Sequence, residues 1–178
     1  MKTEKPVRYL VTAALIAALY TALTLTLAPI SFAAVQCRVA EALTVLAVVT
    51  PAAIPGLTVG CVVSNLVGIS LGASIIGLPD VVVGSLATLL AAVLSYRWRN
   101  RRVGGLPVLA TMPPVVFNAL AVGSELTLVA PVRSVSVWLI QMGLVAAGQA
   151  VACIGGGLLL FKALQVSGLE KRLGGELS

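Results

Sequence analysis

The sequence has no histidine, and only 10% of its 178 residues are charged. It also lacks the GxxxxGK[ST] loop of ATPases, the HExxH motif of metalloproteases and the GxSxG elbow of serine hydrolases. These absences exclude histidine-dependent catalysis and ATP hydrolysis, so we predict a protein that is not an enzyme and has no cofactor. The cysteines Cys37, Cys61 and Cys153 show no CxxC spacing, which argues against a disulfide framework or a metal site and favours packing roles.

Long apolar runs dominate the chain. Hydrophobic residues make up 59% of the sequence, and the mean hydropathy is +1.07. Crossing about 30 Å of hydrocarbon takes about 20 apolar residues, and runs approaching that length recur from Val7 to Lys162. The runs are continuous and do not alternate, so a membrane β-barrel is excluded. The sequence therefore predicts an all-α integral membrane protein.

The number of crossings depends on the segment from Gln36 to Leu71, which could cross once or twice. Pro51 and Pro55 bracket the break PAAIP, where a tight turn can join two short helices. Only two crossings put the arginines of residues 97–102 on the same side as the basic N-terminus, and basic residues favour the cytoplasm. We therefore predict a single six-helix domain over residues 1–178, with both termini cytoplasmic and helices at about 7–28, 36–50, 54–71, 80–96, 109–130 and 134–162.

The net charge of +6 does not call for a nucleic-acid partner. Clustered arginines in a short loop between two membrane spans set the orientation of the protein and contact anionic lipid headgroups. We therefore predict membrane lipid, and no nucleic acid, as the partner of this basic loop.

Three carboxylates, Glu41, Asp80 and Glu125, lie within or at the ends of apolar runs. A carboxylate in hydrocarbon is unfavourable by roughly 2.5 to 3.5 kcal/mol, so each one needs a partner or a ligand. The six-helix topology brings all three near the outer membrane face, together with Asn65 at the outer end of the third helix. This clustering predicts a pocket for a compact polar solute that is cationic or rich in hydrogen-bond donors.

Further polar residues extend this cluster. Arg38 lies one turn before Glu41, at a spacing that would let the two side chains meet. Asn118 precedes Glu125 by two helical turns, so the fifth helix presents a polar stripe that runs inward from the outer face. Gln149 offers a similar group on the sixth helix.

Structural roles compete with ligand binding for these residues. Arg38 and Glu41 could form a purely structural ion pair, Asp80 could cap the fourth helix, and the amide side chains could join helices by hydrogen bonds. Glu125 differs from them because it has no cationic neighbour in its own helix. A structural role for it requires a partner from elsewhere, such as Arg133.

The first helix carries small residues along one face, Ala13, Ala14, Ala17, Ala18 and Ala22. In lipid, where apolar burial gives little drive for association, such faces let helices approach closely. The pattern predicts either an internal packing face or a docking face for a partner protein.

Four blocks of sequence resemble the QueT family of queuosine-precursor transporters: APISFAAVQCRVAEALTVL, PAAIPGLTVGCVVSNL, DVVVGSLATLLAA and PPVVFNALAVGSEL. The pattern QxRxxEAL at Gln36–Leu43 and PPVVFNAL at Pro113–Leu120 are the most specific. The family consists of substrate-binding (S) components of energy-coupling factor (ECF) transporters. The resemblance implies a six-helix protein of the prokaryotic plasma membrane that works with a membrane coupling subunit and two cytoplasmic ATPases.

The resemblance also implies a ligand, preQ1 (7-aminomethyl-7-deazaguanine) or a close relative. One carboxylate, Glu41 or Glu125, could accept the adjacent N1–H and 2-amino donors of its guanine-like edge. A second carboxylate, with Asp80 as another candidate, could face the ammonium group and discriminate against guanine. Amide side chains would contact the carbonyl and ring edge, and Arg38 would orient Glu41. The candidate substrate-binding residues are Gln36, Arg38, Glu41, Asn65, Asp80, Asn118, Glu125 and Gln149.

Two further expectations follow from the resemblance. Ala14 and Ala18 match the AxxxA surface by which such S components dock on their coupling subunit. Gln149 follows Gly148 where the family usually has a Gly-Glu pair, which removes a buried charge and leaves the exact 7-deazapurine open. The alternative function is a self-sufficient secondary carrier or channel for a small polar solute, in which Glu125 or Glu41 takes a coupling proton.

Overall fold

The structure is a computed structural model that describes residues 4–33, 37–170 and 173. Over these residues it consists of helices and connecting turns, with one isolated β-bridge and no strand. Five helices are long and apolar enough to cross a membrane, and a shorter apolar helix accompanies them. The predicted class, an all-α membrane protein, is confirmed.

Six helices in the described part of the chain form this bundle. They are α1 (Glu4–Thr26), α2 (Val39–Val49), α3 (Ala53–Ser70), α4 (Leu78–Arg97), α5 (Val108–Val129) and α6 (Val135–Val166). One additional helical turn, Ala28–Ser31, lies between α1 and α2. None of the helix ends differs by more than four residues from its predicted position.

Helix α2 is the unusual element of the bundle. Its first part, Val39–Val45, is a 3-10 helix, and Leu46–Val49 completes it as an α-helix. At about 2.0 and 1.5 Å of rise per residue, it spans only roughly 20 Å, less than the hydrocarbon thickness. Most of its residues are buried, because α2 lies inside the bundle in contact with α1, α4 and α6. The other helices neighbour one another in the order α1, α3, α4, α5, α6.

Helices α1 and α3 approach each other closely at two glycines of α3, Gly56 and Gly60. A Cβ atom added at Gly60 would lie 2.8 Å from the Cβ of Tyr20 and 2.9 Å from the carbonyl oxygen of Ala17. A Cβ added at Gly56 would lie 2.7 Å from the carbonyl oxygen of Ala13. Part of the small-residue face of α1 is therefore an internal packing face.

The inner end of the bundle brings together the start of α1, the α2–α3 turn, the α4–α5 loop and the end of α6. Tyr9 donates to the carbonyl oxygen of Pro51 at 3.5 Å, and Arg102 forms an ion pair with Glu170 at 2.6 Å. Pro51, Arg102 and Glu170 also line one cavity of about 240 Å³. In the described residues, the start of α1, the α4–α5 loop and the end of α6 therefore lie at one end of the bundle, which the distribution of lysine and arginine predicts to face the cytoplasm.

Candidate functional site

Arg38 and Asp80 form a buried ion pair beneath the outer face of the bundle. Each side chain is at most 2% exposed, and the guanidinium Nη2 of Arg38 donates to Oδ2 of Asp80. Arg38 also donates through Nε to the carbonyl oxygen of Ser31 at 3.4 Å, and Asn65 Nδ2 donates to the carbonyl oxygen of Asp80 at 2.7 Å. These polar contacts thus connect the start of α2 with the last part of α3 and the start of α4.

This pair corrects two expectations. The predicted pairing of Arg38 with Glu41 is wrong, because Arg38 precedes the helix in extended backbone (φ −80°, ψ 92°) and its side chain reaches α4 instead. A contact at helical spacing between Arg38 and Glu41 would require a helix that already includes Arg38, whereas α2 begins at Val39. Asp80 does not cap α4 either, since Gly77 occupies the N-cap position and the Asp80 side chain accepts from Arg38.

Glu41 is held by hydroxyl groups from three helices. Its Oε1 accepts from Tyr20 of α1 at 2.6 Å and from Thr88 of α4 at 3.1 Å, and its Oε2 accepts from Thr44 of α2 at 3.0 Å. Glu41 is fully buried. Both of its oxygens already have donors within the protein, so Glu41 is suited to joining α1, α2 and α4.

Cys61 lies between these two groups of polar residues. Its sulfur is within 3.8 Å of Arg38 Nη1 and Asn65 Nδ2 and within 3.6 Å of Thr88 Oγ1. The residue is fully buried and its thiol is free. Cys61 therefore has more than the packing role expected of it: it connects the Arg38–Asp80 pair with the hydroxyl groups around Glu41.

A second set of buried polar atoms has no hydrogen-bond partner among the residues that the structure describes. It comprises Oδ1 of Asn65, Oδ1 of Asp80, both side-chain amide atoms of Asn118, both carboxylate oxygens of Glu125 and Nε2 of Gln149. These atoms come from α3, α4, α5 and α6, and none of the five residues is more than 6% exposed. A buried polar group without a partner costs about 1 to 3 kcal/mol, and such groups in native proteins call for an explanation.

The carboxylates and amides of this set lie at different distances from the outer end of the bundle. Asp80 lies in the first turn of α4, and Glu125 lies four residues, or about 6 Å, from the outer end of α5. Glu125 interacts electrostatically with both Asp80 and Arg38. Asn118 lies about 16 Å from the same end of α5, so its amide is well below the carboxylates.

Gln149 lies where α6 departs from regular α-helix. The segment Ala150–Gly156 that follows it is a π-helix, a form that is rare and frequent at functional sites. Gln149 is fully buried, and its Oε1 accepts from the thiol of Cys153 at 3.4 Å. Nearby, the thiol of Cys37 donates to the carbonyl oxygen of Gly148 at 3.4 Å. The π-helical segment packs against the start of α2, which places this part of α6 beside Glu41.

A groove of about 500 Å³ lies between α4 and α5. Its lining is almost entirely apolar, with side chains such as Leu86, Leu90 and Phe117, and Glu125 and Ser124 are its polar members. The carboxylate oxygens of Glu125 are nevertheless buried. Glu125 therefore belongs both to the lining of this groove and to the set of buried polar atoms without partners in the described structure.

A family model for the QueT transporter matches residues 10–166. The chain belongs to the QueT transporter family. It is therefore a transporter, and its long apolar helices make it a multi-pass protein of the cell membrane. No curated protein and no solved structure matches the chain.

The two alanines expected to form the docking surface of this QueT-family protein are exposed. Ala14 and Ala18 are accessible on α1, whereas Ala13 and Ala17 lie against the glycines of α3. The alanines of α1 therefore divide into an internal packing set and an exposed set. Gln36, the remaining candidate, lies outside the described residues.

Three hydroxyl residues that contact Glu41, and the position of Cys61 beside them, were not predicted from the sequence. Tyr20, Thr44 and Thr88 all donate to Glu41. For the two threonines the signal in the sequence is weak, because a threonine hydroxyl within an apolar helix often bonds to the carbonyl of the preceding turn, as Thr58 does here with Ile54 at 2.9 Å.

Proposed function

We propose that this member of the QueT family is the substrate-binding S component of an ATP-driven ECF uptake transporter. Its substrate is a queuosine precursor such as preQ1. The observation that carries this proposal is the set of buried carboxylate and amide atoms without protein partners beneath the outer face. A polar ligand that entered there would supply the missing hydrogen bonds.

The two carboxylates with free oxygens are the candidates for binding the ammonium group of preQ1. Asp80 has one oxygen without a partner and Glu125 has two, counted over the described residues. Hydrogen bonds to charged groups contribute about 1.5 to 3 kcal/mol each, and carboxylates accept them best from cationic donors. Glu41 is a poorer candidate, since hydroxyl groups occupy both of its oxygens.

The amides below the carboxylates are the candidates for the base itself. An amide side chain both donates and accepts, so Asn118 and Gln149 can pair with the carbonyl and amine edge of a 7-deazaguanine ring. Asn65 offers its free Oδ1 from α3. In this arrangement, the carboxylates distinguish preQ1 from guanine and the amides distinguish a guanine-like ring from other bases.

Uptake against a gradient requires an energy source that the chain does not contain. Its sequence has no ATPase loop, so the two ATPases and the coupling subunit of an ECF transporter are the proposed partners. The exposed alanines Ala14 and Ala18 would allow a helix of the coupling subunit to approach α1 closely. Membrane lipid covers the remaining apolar surface.

Calorimetry on the detergent-purified chain tests the substrate. We expect preQ1 to bind, and guanine, which lacks the aminomethyl group, to bind more weakly. Folded protein, as judged by its helical circular dichroism, that binds no 7-deazapurine would overturn the proposal. Liposomes that contain the chain alone test the energy source, because uptake of labelled preQ1 without ATPases would favour a self-sufficient carrier instead.

A further inference from the structure

Tyr20 connects α1 to the buried polar residues around Glu41. It is fully buried, and its hydroxyl donates to Oε1 of Glu41 at 2.6 Å. At about 100° of rotation per residue, Tyr20 lies about 200° around α1 from Ala18. One face of α1 thus carries the exposed alanines, and the roughly opposite face carries the hydroxyl that binds Glu41.

A continuous series of polar contacts runs from Tyr20 to the ligand-facing carboxylate of Asp80. Glu41 accepts from Thr88 of α4 at 3.1 Å, and Thr88 contacts the sulfur of Cys61 at 3.6 Å. Cys61 in turn contacts Arg38, which forms the ion pair with Asp80. These contacts pass from α1 to α2, then to α4 and α3, and return through Arg38 to the first turn of α4.

The packing around Tyr20 leaves little room for α1 to move without disturbing this network. Gly60 of α3 approaches the Cβ of Tyr20 so closely that a methyl group there would lie 2.8 Å away. Closely packed elements tend to switch between discrete arrangements and do not deform continuously, so a shift of Arg38 or Thr88 would change the position that Tyr20 favours.

We propose that Tyr20 is a positioning residue that couples occupancy of the ligand site to the docking face of α1. This inference rests on the proposed function, since it assigns a ligand to Asp80 and a coupling subunit to Ala14 and Ala18. Ligand bound at the free oxygen of Asp80 changes the Arg38–Asp80 contact, and the change reaches α1 through Glu41 and Tyr20. By thermodynamic linkage, bound ligand then changes the affinity of the chain for the coupling subunit by a certain factor, and the bound coupling subunit changes the affinity for the ligand by the same factor.

The test is a thermodynamic cycle in lipid nanodiscs. Affinity of the chain for its coupling subunit is measured with and without saturating preQ1, for the wild type and for Tyr20→Phe. For the wild type, we expect preQ1 to change the docking affinity by at least about fivefold. For Tyr20→Phe, we expect that factor to fall below about twofold, while preQ1 affinity and docking without ligand each stay within about threefold of the wild type.

Two further variants separate coupling from a purely structural effect. Thr21→Val is the matched control, because Thr21 also joins α1 to a neighbouring helix, through a 3.2 Å hydrogen bond to the carbonyl oxygen of Gly60, without touching Glu41. In Thr21→Val, preQ1 should change the docking affinity by the same factor as in the wild type. Thr88→Val removes the hydrogen bond from α4 to Glu41 and should lower the effect of preQ1 on docking affinity as Tyr20→Phe does. This variant therefore still tests the proposal if Tyr20→Phe misfolds.

The outcomes distinguish this inference from the function on which it rests. A Tyr20→Phe protein that keeps the wild-type factor, or a wild type whose docking does not respond to preQ1, overturns the coupling role and leaves the proposed function intact. A folded wild type that binds no preQ1 overturns both.

Discussion

Arg38 and Asp80 lie 42 residues apart in sequence and form a buried ion pair that fixes the start of α2 against the first turn of α4. The pair uses one carboxylate oxygen of Asp80 and leaves the other without a partner in the described structure. A single residue therefore supports the fold and presents an acceptor to the proposed ligand. These two roles can be separated by mutation.

Asp80→Asn should destabilise the protein strongly. Removing one member of a buried ion pair leaves the other charge uncompensated and typically costs about 3 to 5 kcal/mol. We expect a clear fall in the midpoint of thermal unfolding in detergent. The double variant Arg38→Met/Asp80→Asn removes both charges and should recover much of the lost stability, whereas it should not recover preQ1 binding. An Asp80→Asn protein as stable as the wild type would contradict a structural role for the pair.

Glu125→Gln should weaken preQ1 binding without harming the fold. Neither carboxylate oxygen of Glu125 has a partner within the described residues, so no internal hydrogen bond is lost. Loss of a charge-assisted bond of about 1.5 to 3 kcal/mol corresponds to about 10- to 150-fold weaker binding of preQ1. Calorimetry with preQ1 and with guanine checks the role of the charge, since guanine has no ammonium group. Equal weakening of both ligands would show that Glu125 contacts the ring and not the ammonium.

The helices could be predicted from the sequence because the membrane leaves few choices. Backbone groups in lipid must bond within the segment, so each long apolar run becomes a helix. The break near Pro51 also predicted two separate helices in the segment that follows Gln36, and the structure has them at Val39–Val49 and Ala53–Ser70. The carboxylates were also found, because an acidic residue within an apolar run stands out from its neighbours. Both kinds of prediction depend on local composition.

The contacts of these residues could not be predicted, because they depend on local backbone conformation and on long-range packing. Arg38 turned to Asp80 because its own backbone is extended, a detail that the pattern QxRxxEAL does not encode. Similarly, a threonine in a membrane helix can bond to its own backbone or to another helix. Thr24 bonds to the carbonyl of Tyr20 in its own helix, whereas Thr88 bonds across to Glu41.

Gly60→Ala should destabilise the contact between α1 and α3. The added methyl group would lie within 2.9 Å of both the Tyr20 side chain and the carbonyl oxygen of Ala17, and overpacking of this kind typically costs about 1 to 3 kcal/mol. Thermal unfolding in detergent measures the effect. Gly155→Ala is the matched control, since nothing lies within 4 Å of a Cβ atom added there, and it should leave stability nearly unchanged. Equal stability of the two variants would mean that the helices separate easily.

Ala18→Leu should spare ligand binding and impair assembly with the coupling subunit. Ala18 is exposed on α1 and contributes no side chain to the buried cluster, so preQ1 affinity measured by calorimetry should stay at the wild-type value. A larger side chain prevents close helix approach, which in lipid is a main source of association, so co-purification with the coupling subunit should fall. Ala147→Leu is the control, because Ala147 is an exposed alanine within α6 and lies outside the proposed docking face. If Ala18→Leu assembles as well as Ala147→Leu and the wild type, the coupling subunit docks on a different surface of this protein.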